Sequence, residues 1–111
     1  MTDLIDVGRA AALNDILRRS LSGGTLVLTA GVVALGRERQ QIILDAIAAF
    51  NRFDPDNDPY GEHDFGAVEA AGERVFWKID CFDRSHARAS PDPADASVTA
   101  RVLTVMLAEE Y

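Results

Sequence analysis

The stretch Asp95-Ala96-Ser97-Val98-Thr99-Ala100-Arg101-Val102-Leu103-Thr104-Val105-Met106-Leu107 lies near the C-terminal end, and its reading decides the fold. Val98, Val102, Val105 and Met106 recur at helical spacing, with Leu103 and Leu107 widening the stripe. That period predicts a helix. It begins near residues 93–95, because proline is tolerated in a first helical turn. Ser90-Pro91-Asp92-Pro93 marks the residues before it as an irregular loop.

Upstream, residues 65–70 and 74–82 form a hairpin around Ala71-Gly72-Glu73. Val75, Trp77, Ile79 and Cys81 share one face of the second strand, and Phe76, Lys78, Asp80 and Phe82 share the other. Residues 54–64, Asp-Pro-Asp-Asn-Asp-Pro-Tyr-Gly-Glu-His-Asp, cannot be regular structure, since two prolines and a glycine interrupt them. Before them, Ile42, Ile43, Ala46, Ile47 and Phe50 recur at helical spacing, and Thr25-Leu26-Val27-Leu28-Thr29 reads as a strand. A first helix is capped by Thr2 or Asp3 and stopped by Ser22-Gly23-Gly24. Leu4, Ile5, Ala11, Ala12, Ile16 and Leu17 form its apolar stripe. Arg9, Arg18 and Arg19 fall outside it, and Arg18 and Arg19 suit the negative pole of their own helix. The expected order is α-β-α-β-β-α. It describes an α+β two-layer sandwich with a small, mostly antiparallel three-stranded sheet and helices on one face.

With 111 residues, 48% of them hydrophobic, the chain is expected to be a single globular domain spanning residues 1–111. Its formal charge of −7 is unevenly spread. Residues 1–53 hold five acids and six arginines; residues 54–111 hold thirteen acids and five bases. A whole-chain grip on nucleic acid requires clustered Lys and Arg, so direct nucleic-acid binding is not expected. The lone Cys81 cannot form an internal disulfide, no secretory leader pattern is present, and apolar runs are too short for a membrane span. A soluble, cytoplasmic protein is the expectation.

Asp54, Asp56 and Asp58 alternate as the first ligands of an EF-hand do, but Pro59 stands where that loop needs glycine and Phe65 where it needs glutamate. A solvated turn, with Asp and Asn bonding their own backbone, accounts for the same residues. His63 and His86 flank the hairpin. With Asp58, Glu62, Asp64 and Asp80 they define an alternative reading, a hydrolytic or metal-binding site whose metal ligands would be His63, Asp64, Asp80 and His86. Neither HExxH nor CxxC spacing supports it. Cys81 shares a strand face with Trp77, which predicts packing rather than nucleophilic chemistry.

Asn57-Asp58-Pro59-Tyr60-Gly61-Glu62-His63-Asp64-Phe65-Gly66, followed by Trp77-Lys78-Ile79-Asp80, resembles a family of small bacterial proteins known as a domain of unknown function. Asn14-Asp15, Thr29-Ala30-Gly31-Val32, Asp92-Pro93-Ala94-Asp95, residues 99–108 and Glu110-Tyr111 carry the likeness across almost the whole chain. Where that family carries a tyrosine pair after Trp-Lys-Ile-Asp, this chain has Cys81-Phe82, so no phenolic role transfers. The resemblance implies no reaction and no catalytic residue. It implies an association with mobile elements, and with it an accessory or anti-defence role.

The primary expectation is therefore a small acidic interaction protein without a cofactor. Asp54, Asp56, Asp58, Tyr60, Glu62, His63, Asp64, Asp80, Asp83, Asp92 and Asp95 would face a protein partner with a basic surface. An inhibitor of a nucleic-acid-handling or defence complex, such as an anti-CRISPR or anti-restriction protein imitating nucleic acid, is one form of it. Phe76 and Phe82, if uncovered, would favour a homodimer.

Overall fold

The computed structural model describes residues 4–111. Among them the order is α1 (Leu4–Ser20), β1 (Thr25–Leu28), α2 (Ala30–Val33), α3 (Arg37–Ala49), β2 (Phe65–Ala70), β3 (Glu73–Phe82) and β4 (Ala100–Leu107), with 3-10 turns at Ala96–Val98 and Ala108–Glu110. The expected cap at Thr2 or Asp3 lies outside the described residues.

The α+β class fits, but the expected final helix is a strand. The sheet accordingly has four strands rather than three, in the order β1-β4-β3-β2. It is mixed: β1 runs parallel to β4, while β3 runs antiparallel to both β2 and β4. Asp95 does cap a turn, accepting the Ser97 N–H at 2.9 Å, but that turn stops after Val98. The chain then extends, and Thr99, Val102, Thr104 and Val105 supply the β-branching that favours a strand. Arg101, Leu103, Val105 and Leu107 point inward at alternate positions, and Met106 is buried on the other side. A central strand apolar on both faces gives a continuous hydrophobic run, in which a helical subset can always be found.

The hairpin forms as expected. Ala71 and Gly72 both have positive φ, 54° and 78°, the geometry of a two-residue turn that matches strand twist. Val75, Trp77 and Ile79 of β3 join Leu103, Val105 and Leu107 of β4 under Leu17, Val32, Ile43 and Ile47 from the helices. Each fully buried aliphatic or aromatic side chain there contributes about 1.5–3 kcal/mol of transfer free energy. The helices thus cover one face. On the other, Phe65, Phe76 and Tyr111 pack edge-on or tilted with ring centroids 5.3–5.9 Å apart. At the hairpin end of the sheet, the Glu110 carboxylate accepts from Thr29 Oγ1 (2.6 Å), Gly31 N–H (3.0 Å) and Leu107 N–H (2.8 Å), tying the last turn to the start of α2. No helix among the described residues is long and apolar enough to cross a membrane.

Candidate functional site

Strand directions decide which loops meet. β2 begins, β3 ends and β4 begins at one end of the sheet, so residues 50–64 and 83–99 are brought to that end together. A polar network rooted in α1 holds them there.

Asn14 is buried, and its amide works in both directions. Nδ2 donates to the Glu62 carbonyl at 2.9 Å, and Oδ1 accepts from Arg101 Nε at 2.8 Å. Arg101, itself buried, also donates to the Pro93 carbonyl. One asparagine thereby links α1, the 54–64 loop, β4 and the 83–99 loop. Four residues on, Arg18 is 1% exposed, not solvated as its place outside the apolar stripe implies. Its guanidinium donates to the carbonyls of Ile47 (2.8 Å), Ala48 (3.2 Å) and Phe50 (2.8 Å), acceptors left over at the end of α3. The negative pole it serves belongs to a neighbouring helix rather than its own. Phe53 and Trp77 flank it, each 5.4 Å from the guanidinium carbon to the ring centroid.

Arg18 also pairs with Asp15 at 2.8 Å. Asp15 receives His63 Nδ1 at 3.1 Å from both carboxylate oxygens, and His63 Nε2 stands 3.7 Å from Asp58. Burial by itself would raise the Asp15 carboxyl, yet the hydrogen bonds and charges of Arg18 and His63 hold it below its ordinary value. The His63 ring lies flat on Phe53, with centroids 3.9 Å apart. Both ring nitrogens thus face carboxylates of the protein, and the imidazole latches the loop to α1. His63 reaches this place with φ of 55°, a left-handed conformation stabilised by Asp58, which accepts the Glu62 and His63 N–H groups at 3.0 and 3.2 Å.

The loop itself is made of side-chain-to-backbone turns. Asp54 accepts from the Asp56 and Asn57 N–H groups at 2.8 and 3.0 Å, and Asn57 donates to the Arg52 carbonyl at 2.7 Å. Asp56 and Tyr60 are exposed on its outside. Glu62 is raised by burial and by Asp64 and Asp58; Asp64 is raised by burial, then by Asp58 and Asp80, against its own backbone hydrogen bond. Asp64 thus feels Asp58, Glu62 feels both, and Asp80, which pairs with Lys78 at 3.1 Å, acts on Asp64. The remaining expected residues serve separate turns. Asp83 accepts from Ser85 at 2.8 Å, Asp92 from the Ala94 N–H at 3.1 Å, and Asp95 from Ser97 Oγ at 2.6 Å. Serine and backbone donors hold Asp83 and Asp95 below their ordinary values.

His86 does not join His63; it stacks on Phe82 at 6.0 Å within the 83–90 turn. Among the described residues no three His, Cys, Asp or Glu side chains are placed to hold one metal ion. Cys81 is half-buried, with Sγ 3.9 Å from Asn14 Oδ1, and burial pushes its thiol upward despite Arg101. Such a thiol is a poor nucleophile. Sequence reasoning missed Asn14, Asp15, Arg18, Phe53 and Arg101 as parts of this end. The available signals were Arg101, a charge inside an apolar run, and Asn14, Asp15 and Arg18, which lie at helical spacing (i, i+1, i+4) on one side of α1.

No curated protein and no solved structure matches this chain. A family model does, over residues 28–110, which takes in the hairpin, β4 and both acidic loops but not the α1 residues that anchor them. The chain belongs to the family described as protein of unknown function (DUF3768).

Proposed function

We propose that the chain is a small acidic interaction protein, docking the end of the sheet that carries the 50–64 and 83–99 loops onto a basic surface of another protein. The observation that carries this reading is the Asn14–Arg101 network, which gathers two acidic loops separated in sequence at one end. Residues 51–64 hold five acids against Arg52, and residues 83–99 hold three acids against Arg84 and Arg88. A fixed field of one sign steers encounter with an oppositely charged surface and fixes its orientation. Inhibition of a nucleic-acid-handling or defence complex, through a basic groove built for phosphates, is the form this reading takes with the mobile-element association that the family resemblance implies.

Asp56 and Glu62 are the residues for a test, because both remain solvent-accessible, Glu62 although its carboxyl is partly covered, and neither side chain holds the loop together. Affinity capture from the native host, followed by mass spectrometry, identifies the partner. The Asp56→Lys/Glu62→Lys variant is expected to lose capture, and capture by the native protein is expected to weaken steeply as salt rises. Unchanged capture by the double variant at low salt would overturn the reading.

A further inference from the structure

β2 forms one rim of the sheet, and the direction of its backbone groups follows from the hairpin register. Ala70 and Glu73 flank the two-residue turn, so they exchange both hydrogen bonds, as do Val68 with Val75 and Gly66 with Trp77. The 2.8 Å bond from the Ile79 N–H to the Asp64 carbonyl continues the same alternation. The N–H and C=O groups of Ala67 and Glu69 therefore point away from β3, and none of them has a partner among the described residues.

These groups open onto a groove of about 650 Å³ between β2 and the end of α3, lined by Ala46, Ala49, Phe50, Arg52, Ala67 and Glu69 among others. That volume lies within the ~300–1,000 Å³ of ordinary ligand pockets. Two alanines keep the helical wall low enough for a second backbone to approach. Arg74 also borders the groove, and neither Arg74 nor Arg52 forms an ion pair among the described residues. With Glu69 as the one acid lining it, the groove carries a positive balance in a chain of net charge −7.

We propose that this groove receives an extended acidic peptide segment of another protein as a fifth strand. A ladder of unpaired donors and acceptors is matched by extended polypeptide backbone, which gives the affinity. Arg52 and Arg74 would take the carboxylates of the segment, which gives the charge preference. A second copy fits less well, because it would bring its own Arg52 and Arg74 to the seam and set arginine against arginine. The groove adjoins the acidic end, sharing residues 50–52 with the start of the 50–64 loop, but none of the acids of that loop lines it, and its ligand has the opposite charge to theirs.

The probe is a fluorescein-labelled heptapeptide, Glu-Thr-Val-Glu-Val-Thr-Glu, compared with its lysine counterpart and with a form N-methylated at alternate amides. Fluorescence polarisation is expected to show binding at least about ten-fold tighter than either control. Hydrogen exchange at the Ala67 and Glu69 amides should slow on peptide addition, while Val68, already paired to β3, stays as it was. Ala67→Pro removes an outward N–H and leaves the β2–β3 ladder intact, a position where an edge strand tolerates proline, so it should abolish binding without unfolding the sheet. The Asp56→Lys/Glu62→Lys variant should bind the peptide as the native chain does, which separates this result from the fate of the acidic-loop reading. Equal binding of the N-methylated peptide, or unchanged exchange at Ala67 and Glu69, overturns the proposal. So does light scattering that shows a native dimer dissociated by Ala67→Pro, which would assign the groove to a second copy.

Discussion

Arg18 joins three parts of the molecule that sequence spacing keeps apart. Its own helix, the end of α3 and the Phe53–Trp77 aromatic pair meet on one guanidinium, which Asp15 neutralises. Periodicity placed this arginine off the apolar stripe because an arginine's burial depends on acceptors elsewhere. Here they are carbonyls 29 to 32 residues distant, which no local pattern encodes. Arg18→Met keeps an apolar stem of similar length but orphans those carbonyls and leaves Asp15 without its cation. The expected loss is about 3 kcal/mol in urea unfolding, the scale for breaking a buried pair by removing one partner. Arg19→Met, at an exposed neighbour, should stay within about 0.5 kcal/mol. Equal losses in the two variants would mean that the carbonyl contacts contribute nothing.

β4 shows where periodicity stops being informative. Its two flanking strands and its position under the helices bury both faces to different degrees, so alternation is blurred and a helical subset survives in the apolar run. β2 and β3 were legible because one of their faces stays mixed and their turn is sharp. The candidate end was legible only in part. Its acids announce themselves by number, whereas the network that gathers them is built from an asparagine and two arginines with tertiary partners. The β2–β3 pair also explains a small residue in the family-like Asp64-Phe65-Gly66 run. A Cβ on Gly66 would lie 2.6–2.7 Å from the indole of Trp77 across the ladder. Trp77 cannot yield, being fully buried with Phe50 and Phe53 against it at 5.6 and 6.1 Å. Gly66→Ala should therefore destabilise by about 1–3 kcal/mol and shift the tryptophan fluorescence. Gly8→Ala, with open space on the exposed side of α1, should do the reverse by about 0.5–1 kcal/mol. Two losses of the same size would point to a general backbone effect and away from the indole contact.

The −7 acts on the molecule as a whole through two sets of carboxylates with opposite pH signatures. Glu62 and Asp64 are raised by burial and by neighbouring acids, so the folded chain holds their protons more tightly than the unfolded chain does. At neutral pH they oppose folding, and stability increases as pH falls through their folded values. Asp15, Asp83, Asp95 and Glu110 are lowered, chiefly through hydrogen bonds that outweigh burial where burial is felt. Their contribution is present above the unfolded carboxylate values, about pH 4, and is lost as pH falls through the depressed folded ones. The melting temperature is therefore expected to rise as pH drops from 7 toward the unfolded carboxylate values, about 4, and to fall below them. Asp64→Asn separates the two sets, because it removes a raised acid whose side chain holds no turn and leaves the lowered ones untouched. It should raise the melting temperature at pH 7, flatten the rise on acidification and leave the acid limb in place. Scanning calorimetry of both proteins across that range reads all three effects. A native-like rise in the variant, or a lower melting temperature at pH 7, would show that the burial of the Asp64 charge and its repulsion by Asp58 and Asp80 are not what strains this end. The part of that strain due to like charge is what a basic partner would relieve on docking, whereas the part due to burial would remain.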